Sequence, residues 1–294
     1  MSAALEAPGV ALDADALIGL EFLALRHRGR DRRLSSLPGG FATRRRGQGL
    51  ELADIRAYQP GDDVRHLDRS ATARTGRPHV RTFQQERDRL TLLVADMRPA
   101  MLWGTGRALC SVAAAEVLTL IGWEAVATGG RVALFVAGAE GPVALPFRGR
   151  RRGMVEVIGA LVAAHGAALR GAALGRRTDP PLASALAPLD RLAPTGSEVV
   201  LASSFEARGE GLGPLFDRLA QRRSLDLIHI RDGSDRLPAG AYPIRAGPLR
   251  RRVNLGAAPV PAAEPTLEGH PVRYLSADTT TEGLARDLAL GGDR

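Results

Sequence analysis

The residues best placed to do chemistry lie between Arg44 and Met101. A polar segment broken by Gly and Pro carries Asp54, Arg56, Asp62, Asp63, Arg65, Asp68, Arg74, Arg81 and Glu86, then runs into the apolar stretch Leu90–Ala95 and ends on Asp96. Grouped carboxylates can serve acid–base or metal chemistry. Here Arg56, Arg65, Arg74 and Arg81 come at matching density, which favours a charge network that holds an irregular segment in shape and is compatible with a docking surface. His66 and His79 flank the network without the third ligand a zinc site needs. Ser35, Ser36, Ser70, Ser203 and Ser204 lack a Gly-x-Ser-x-Gly context, so a hydrolase triad has no support. Gly104-Thr105-Gly106 lacks the lysine of a phosphate loop, and its small residues suffice to open a helix.

Composition removes further classes. All 40 basic residues among the 294 are arginine, and the net charge is +8. Without lysine, a Walker-type loop, a Schiff-base lysine and a Ser–Lys dyad are excluded. The arginines cluster at Arg26–Arg33, Arg44–Arg46, Arg148–Arg152 and Arg250–Arg252. Such runs could bind nucleic acid, but few aromatics interleave them for base stacking, and a solvated basic face or one docking to an acidic protein is the preferred reading. The single cysteine, Cys110, allows no internal disulfide or cysteine-based zinc site, and its Ala and Val neighbours make it a core residue. No run approaches the roughly 18–20 apolar residues of a membrane span, and the N-terminus has no basic leader. These features predict a cytoplasmic protein.

The elements that must position these residues follow from periodicity. A helical pattern begins at Asp13 and ends in the basic run Arg26–Arg33, where cations suit a helix C-terminus. Tyr58–Asp62 reads as a turn around Pro60-Gly61. His79–Phe83 reads as a short strand feeding the buried strand Leu90–Ala95. Helices are then expected at Leu109–Ala127, Met154–Ala164, Leu182–Leu192, Leu212–Arg222 and Thr280–Leu290. Strands are expected at Arg131–Ala137, Val143–Phe147 (an edge), Glu198–Ala202 and Leu225–Ile230, with weaker ones near Val253, Pro259–Pro265 and Tyr274. Strands alternating with helices imply an α/β fold with a mostly parallel, doubly wound sheet. The division expected is residues 1–89, the N-terminal helix and charged segment packed on the main domain, and residues 90–294, the α/β domain.

The segment GQGLELADIRAYQPGDDVRHLDRSATARTGRPHVRTFQQERD, residues 47–88, resembles the signature of the bacterial domain-of-unknown-function 58 family. Its Gly-x-Gly, Arg56-x-Tyr58, Pro60-Gly61-Asp62-Asp63, Leu67-Asp68, Ala73-Arg74, Arg81 and Glu86 carry the likeness. The tryptophan that the family places after Ile-Asp is Arg69 here. The strand–Asp–turn–helix that follows resembles a von Willebrand factor A-like domain of Rossmann type. The resemblance implies a non-enzymatic adaptor without a cofactor, partnered with a MoxR-type AAA+ ATPase and with other von Willebrand A-like proteins; a nucleic-acid-binding protein is the alternative.

The same resemblance implies where a metal would sit. Such domains hold Mg²⁺, a hard cation wanting about six oxygen ligands, with an Asp-x-Ser-x-Ser run, a second-loop Thr and a third-loop Asp. The corresponding positions here are Asp96, Arg98, Ala100, Thr178 and Ser203. Both serines and the third-loop acid are gone, and a permanently cationic side chain stands two residues from Asp96. The site is expected to be degenerate, without metal, with Arg98 partnering Asp96; Asp179 is the one acid that could substitute.

Overall fold

A computed structural model of the chain describes residues 5–34, 51–59, 62–84, 89–176, 178–246, 249–255 and 265–290. The chain forms two units, one of Met1–Arg33 with Arg89–Arg294 and the other of Leu34–Asp88. The first helix therefore belongs with the α/β unit, not with the charged segment as the expected division at 89/90 had it.

That helix, α1 (Ala14–Leu34), starts where Asp13 accepts hydrogen bonds from the backbone of Asp15 and Ala16 at 2.8 and 3.2 Å, an N-cap satisfying otherwise orphaned donors. Its backbone continues as helix through the whole basic run. Leu17 and Ala24 are buried in the α/β core, and the Trp123 indole N–H donates to the Leu17 carbonyl at 3.2 Å.

Strand β3 (Leu90–Asp96) is apolar on both faces because both are covered, as central parallel strands are. After it come α3 (Cys110–Ala127), β4 (Arg131–Ala137), β5 (Val143–Gly149), α4 (Arg150–Ala173), α5 (Leu182–Leu186), α6 (Leu189–Leu192), β6 (Glu198–Ser203), α7 (Leu212–Ala220) and β7 (Ser224–Arg231). A hairpin of β8 (Gly240–Ala246) and β9 (Leu249–Leu255) precedes β10 (Thr266–Leu267), β11 (His270–Ser276) and α8 (Thr281–Leu290). The expected helix Leu182–Leu192 is two short helices, with Pro188 as the N-cap of the second. Most of Pro259–Pro265 lies outside the described residues.

The sheet order is β10-β11-β7-β6-β3-β4-β5. Strands β11, β7, β6, β3 and β4 run parallel, while β5 and β10 close the edges antiparallel. The chain thus begins in the middle, winds outward through β4 and β5, and returns to the other side of β3 as β6. That reversal puts a topological switch point between β3 and β6, where ligand sites of open α/β sheets form at the carboxyl ends. One face packs on α1, α3, α4 and α8, the other on α5–α7.

Two helices, α3 and α4, are long and apolar enough to cross a membrane by length and composition, correcting the expectation that no run comes close. Helix α3 is apolar all round because it lies inside the protein. Gly122 lets it press close, since a Cβ there would come within 2.5 Å of the Met154 sulfur and 3.0 Å of Leu93.

The smaller unit pairs β1 (Glu51–Ala57) with β2 (His79–Gln84), antiparallel. The strand expected at His79–Phe83 thus pairs with an unexpected partner in a sheet of its own. A short helix, α2 (Arg69–Thr75), lies between, capped by the buried Asp68, whose carboxylate accepts from Ala71 N–H at 2.8 Å, and ended by Gly76 at φ 69°.

Asp68→Ala should lower stability by about 1 kcal/mol through loss of the cap; Asp68→Asn, which keeps the accepting oxygen, should recover most of it in the same denaturant melt. Equal loss in both variants would show that the cap is not what Asp68 contributes.

Candidate functional site

At the switch point, Asp96 ends β3 and Ser203 ends β6, and the Ser203 hydroxyl donates to Asp96 Oδ2 at 2.7 Å. Arg98 folds back on the same carboxylate. Its backbone N–H and Nε–H each reach Oδ1 at 3.0 Å, and Nη2 reaches Oδ2 at 2.8 Å. The guanidinium then spans the remaining gap. Nη1 donates to the Pro180 carbonyl at 2.8 Å and, more distantly, to that of Ala207 at 3.5 Å; Nη2 donates to the Glu206 carbonyl at 2.9 Å. Both side chains are 0% exposed.

Burying two ions costs several kcal/mol each unless their hydrogen-bonding capacity is filled. A guanidinium offers five N–H donors and a carboxylate about four acceptor sites, and here all are used. Asp179 joins from the second loop by accepting the Ala100 N–H at 3.0 Å. Thr178 is exposed and makes no hydrogen bond to the pair among the described residues. Of the sequence-derived positions, Asp96, Arg98 and Ser203 meet, Ala100 contributes only its backbone, and Thr178 stays outside.

The carbonyls of Pro180, Glu206 and Ala207 carry no side-chain signature and were not foreseen. The β6–α7 loop presents the Glu206 and Ala207 carbonyls with two non-glycine residues in left-handed backbone, Phe205 (φ 52°) and Ala207 (φ 47°), while Pro180 comes from the α4–α5 connection.

A second anchor, also unforeseen, holds the β3–α3 loop. Asp232, just past β7, accepts from Trp103 Nε1–H at 2.9 Å, from the Thr105 backbone at 2.8 Å and hydroxyl at 2.9 Å, and from Ser234 N–H at 3.1 Å. Burial pushes this carboxyl's pKa up, but the hydrogen bonds from Thr105, Ser234 and Trp103 outweigh it and leave it below the ordinary value. Asp278 sits against Gly106 and Gly233, where any Cβ would collide with its carboxylate at 2.0 and 1.5 Å. Arg107 chelates Glu116 of α3 with contacts of 2.9 and 2.7 Å. Cys110, buried at the start of α3, has its thiol pushed up to about 12, by burial first and by Asp232 and Asp278 next.

In the charged unit, Arg56 holds Asp62 bidentately at 2.7 and 2.6 Å, which lowers the Asp62 pKa, and Asp62 also accepts from Gln59 N–H at 2.8 Å. This closes the expected turn after Tyr58; Pro60 and Gly61 themselves lie outside the described residues. Asp63 and Asp68 bond backbone N–H groups of Arg65 and Ala71. Arg65 and Arg74 are exposed and form no ion pair with a described residue. Among the described residues the expected network shows an ion pair at Arg56–Asp62 and caps at Asp63 and Asp68, because carboxylates preceding a turn of helix meet orphaned N–H groups first. Glu86 and the side chains of Asp54 and Arg81 lie outside what is described. His79 Nδ1 is 2.8 Å from the Arg77 carbonyl and 3.1 Å from the Thr75 hydroxyl. As the donor to that carbonyl, Nδ1 cannot act as a base toward Thr75.

A divalent cation does not fit the carboxyl-edge site. Each oxygen of Asp96 already accepts two hydrogen bonds, the position beside it is filled by a cationic group, and the one further carboxylate named for the site, Asp179, accepts the Ala100 N–H. Among the described residues no group of three or more His, Cys, Asp or Glu side chains could hold a metal ion.

Fold and site together define an α/β protein with a mostly parallel sheet and an arginine-filled cleft at its switch point. The family described as "Protein of unknown function DUF58" matches residues 54–243, a range that includes Asp96, Arg98, Asp179, Ser203 and Asp232. The chain belongs to this family. It is also 38% identical over 111 residues to uncharacterized proteins of Mycobacterium bovis and Mycobacterium tuberculosis, covering 36% of this chain and 33% of each relative. The match thus spans about a third of those relatives' length. No solved structure matches the chain.

Removing one member of the buried pair should be far worse than removing both. Arg98→Met should cost about 3–5 kcal/mol by stranding the Asp96 carboxylate, whereas Asp96→Asn with Arg98→Met should cost clearly less; equal losses in urea melts would show that the pair is not coupled. Asp232 predicts a pH dependence. Its folded pKa is lowered, so its stabilisation is complete above the unfolded value near pH 4 and is lost as pH falls through the lower folded value. The stability gap between wild type and Asp232→Asn should be constant from pH 5 to 8 and shrink below about pH 4. A gap independent of pH down to 2 would contradict this.

Proposed function

We propose that this protein is a non-enzymatic interaction adaptor of von Willebrand factor A-like architecture, working with a MoxR-type AAA+ ATPase in the assembly or maturation of a client complex. The strand order supports the architecture: a first strand at the sheet centre, an antiparallel edge after the second, and later strands on the far side.

The observation that carries the functional reading is the Asp96–Arg98 network. The switch point, where an enzyme of this topology would keep reactive groups, is filled by an ion pair whose hydrogen-bonding capacity is spent internally. What remains for function is surface. Asp63 and Arg74 in the charged unit are exposed, and other von Willebrand A-like proteins are further proposed partners. The proposed location is the cytoplasm.

Charged surfaces associate in a salt-sensitive way. Binding to a cognate MoxR-type ATPase, measured by calorimetry with nucleotide present, should weaken several-fold between low and high salt and also on Asp63→Arg or Arg74→Glu. Absence of any association at low salt, with both proteins folded, would overturn the adaptor reading. Steeply salt-dependent retention on DNA instead would favour the nucleic-acid alternative.

A further inference from the structure

Helix α1 and the arginine-rich start of α4, far apart in sequence, meet at one end of the α/β unit. His165 Nε2 lies 2.7 Å from the Val10 carbonyl, and Arg151 Nε lies 2.9 Å from Glu21. The chain from Val10 to Glu21 therefore runs opposite to α4 from His165 to Arg151. Beyond Glu21 the backbone of α1 stays helical to Leu34, and that length, at 1.5 Å per residue, carries it roughly 20 Å further, past the first turn of α4. The helical backbone beyond the exposed Arg26 thus projects from the end where α4 begins with Arg150, Arg151 and Arg152, preceded by Arg148 at the close of β5.

This end is electrostatically unfavourable by itself. Cations at a helix N-terminus oppose its partial positive charge, and the Gly149 N-cap supplies no side-chain acceptor. Glu21 and Glu156 offset only part of the charge: Glu21 pairs with Arg151, and Glu156 lies 3.7 Å from Arg148 and 3.3 Å from Arg152. Apolar side chains are exposed among the arginines, Phe22 at 74%, Leu25 at 44% and Val155 at 36%. Further along α4 the exposed positions Gly159, Ala163 and Ala167 carry no charge, and no ionisable residue other than His165 lies between Glu156 and Arg170.

We propose that this face, made by α1 and the first half of α4, docks on the surface of an anionic lipid bilayer. Arginines meet acidic headgroups there while adjacent apolar side chains enter the interfacial layer. A bilayer explains both features. A nucleic acid would satisfy the arginines and could stack one base on Phe22, but it gives the aliphatic Leu25 and Val155 nothing to bury against, and a single exposed phenyl ring is short of the row of aromatics on which successive bases stack. The contact is peripheral and needs no spanning segment.

The test is sedimentation of the full chain with vesicles of phosphatidylcholine alone and of phosphatidylcholine mixed with phosphatidylglycerol. Wild type should bind only the anionic vesicles and be released at high salt. Arg148→Glu with Arg152→Glu should weaken binding about tenfold or more, and Phe22→Ser several-fold, with unchanged melting because all three side chains are exposed. No binding to anionic vesicles, equal binding to neutral ones, indifference to both variants, or tighter binding to a DNA duplex than to anionic vesicles would each overturn the proposal.

Discussion

The ion pair between Asp96 and Arg98 is the constraint on which the carboxyl edge of the sheet depends. Neither group could be buried alone, since an unpaired ion in a protein interior costs several kcal/mol. Together they are tolerable only because Ser203 and the carbonyls of Pro180 and Glu206 complete the set. Three loops that share no sequence neighbourhood are therefore held by one side chain. Arg98 does for them what a cation does elsewhere, gathering oxygen atoms from separate segments, but with directional donors that leave no position open.

That arrangement has a conformational cost. Phe205 and Ala207 occupy left-handed backbone, which costs roughly 1–2 kcal/mol per non-glycine residue. The return is that the carbonyls of Glu206 and Ala207 face the guanidinium, and hydrogen bonds to charged groups are worth about 1.5–3 kcal/mol each. Asp232 and Asp278 act similarly on the β3–α3 loop, one by accepting from Trp103, Ser234 and both the backbone and hydroxyl of Thr105 and one by occupying space beside Gly106 and Gly233 that a Cβ would fill. The carboxyl edge is thus cross-linked by hydrogen bonds from several separate loops, the feature on which the proposed adaptor reading rests.

Much of this was legible in the residues. A largely apolar run ending on Asp identified β3 as a buried strand, and an arginine two positions later announced the pair, because side chains at that spacing past a strand end can fold back on each other. What could not be read was carried by backbone. Carbonyls from distant loops have no sequence signal, so Pro180, Glu206 and Ala207 were invisible and Thr178 was favoured over its neighbour Asp179. Charge density was legible in the signature segment, but its wiring was not. Asp63 and Asp68 look like partners for arginines until the following residues are seen to start helical turns. Strand β1 was obscured because its pairing with β2 is non-local. Helix α1 was assigned by sequence proximity to the charged segment, whereas Leu17 and Ala24 tie it to the core of the other unit.

The central claim is that Arg98 occupies the role a divalent cation would otherwise take at the Asp96 loop. The direct measurement is thermal melting with millimolar Mg²⁺ and with a chelator, on the wild type and on a variant carrying Arg98→Ser, Ala100→Ser and Ser203→Asp. A ligand that binds only the native state stabilises it by about 2.7 kcal/mol at a hundredfold excess over its dissociation constant, enough to move a melting curve visibly. The two wild-type curves should coincide, and the variant should gain a Mg²⁺-dependent shift. A shift in the wild type that disappears on Asp96→Ala would contradict the account.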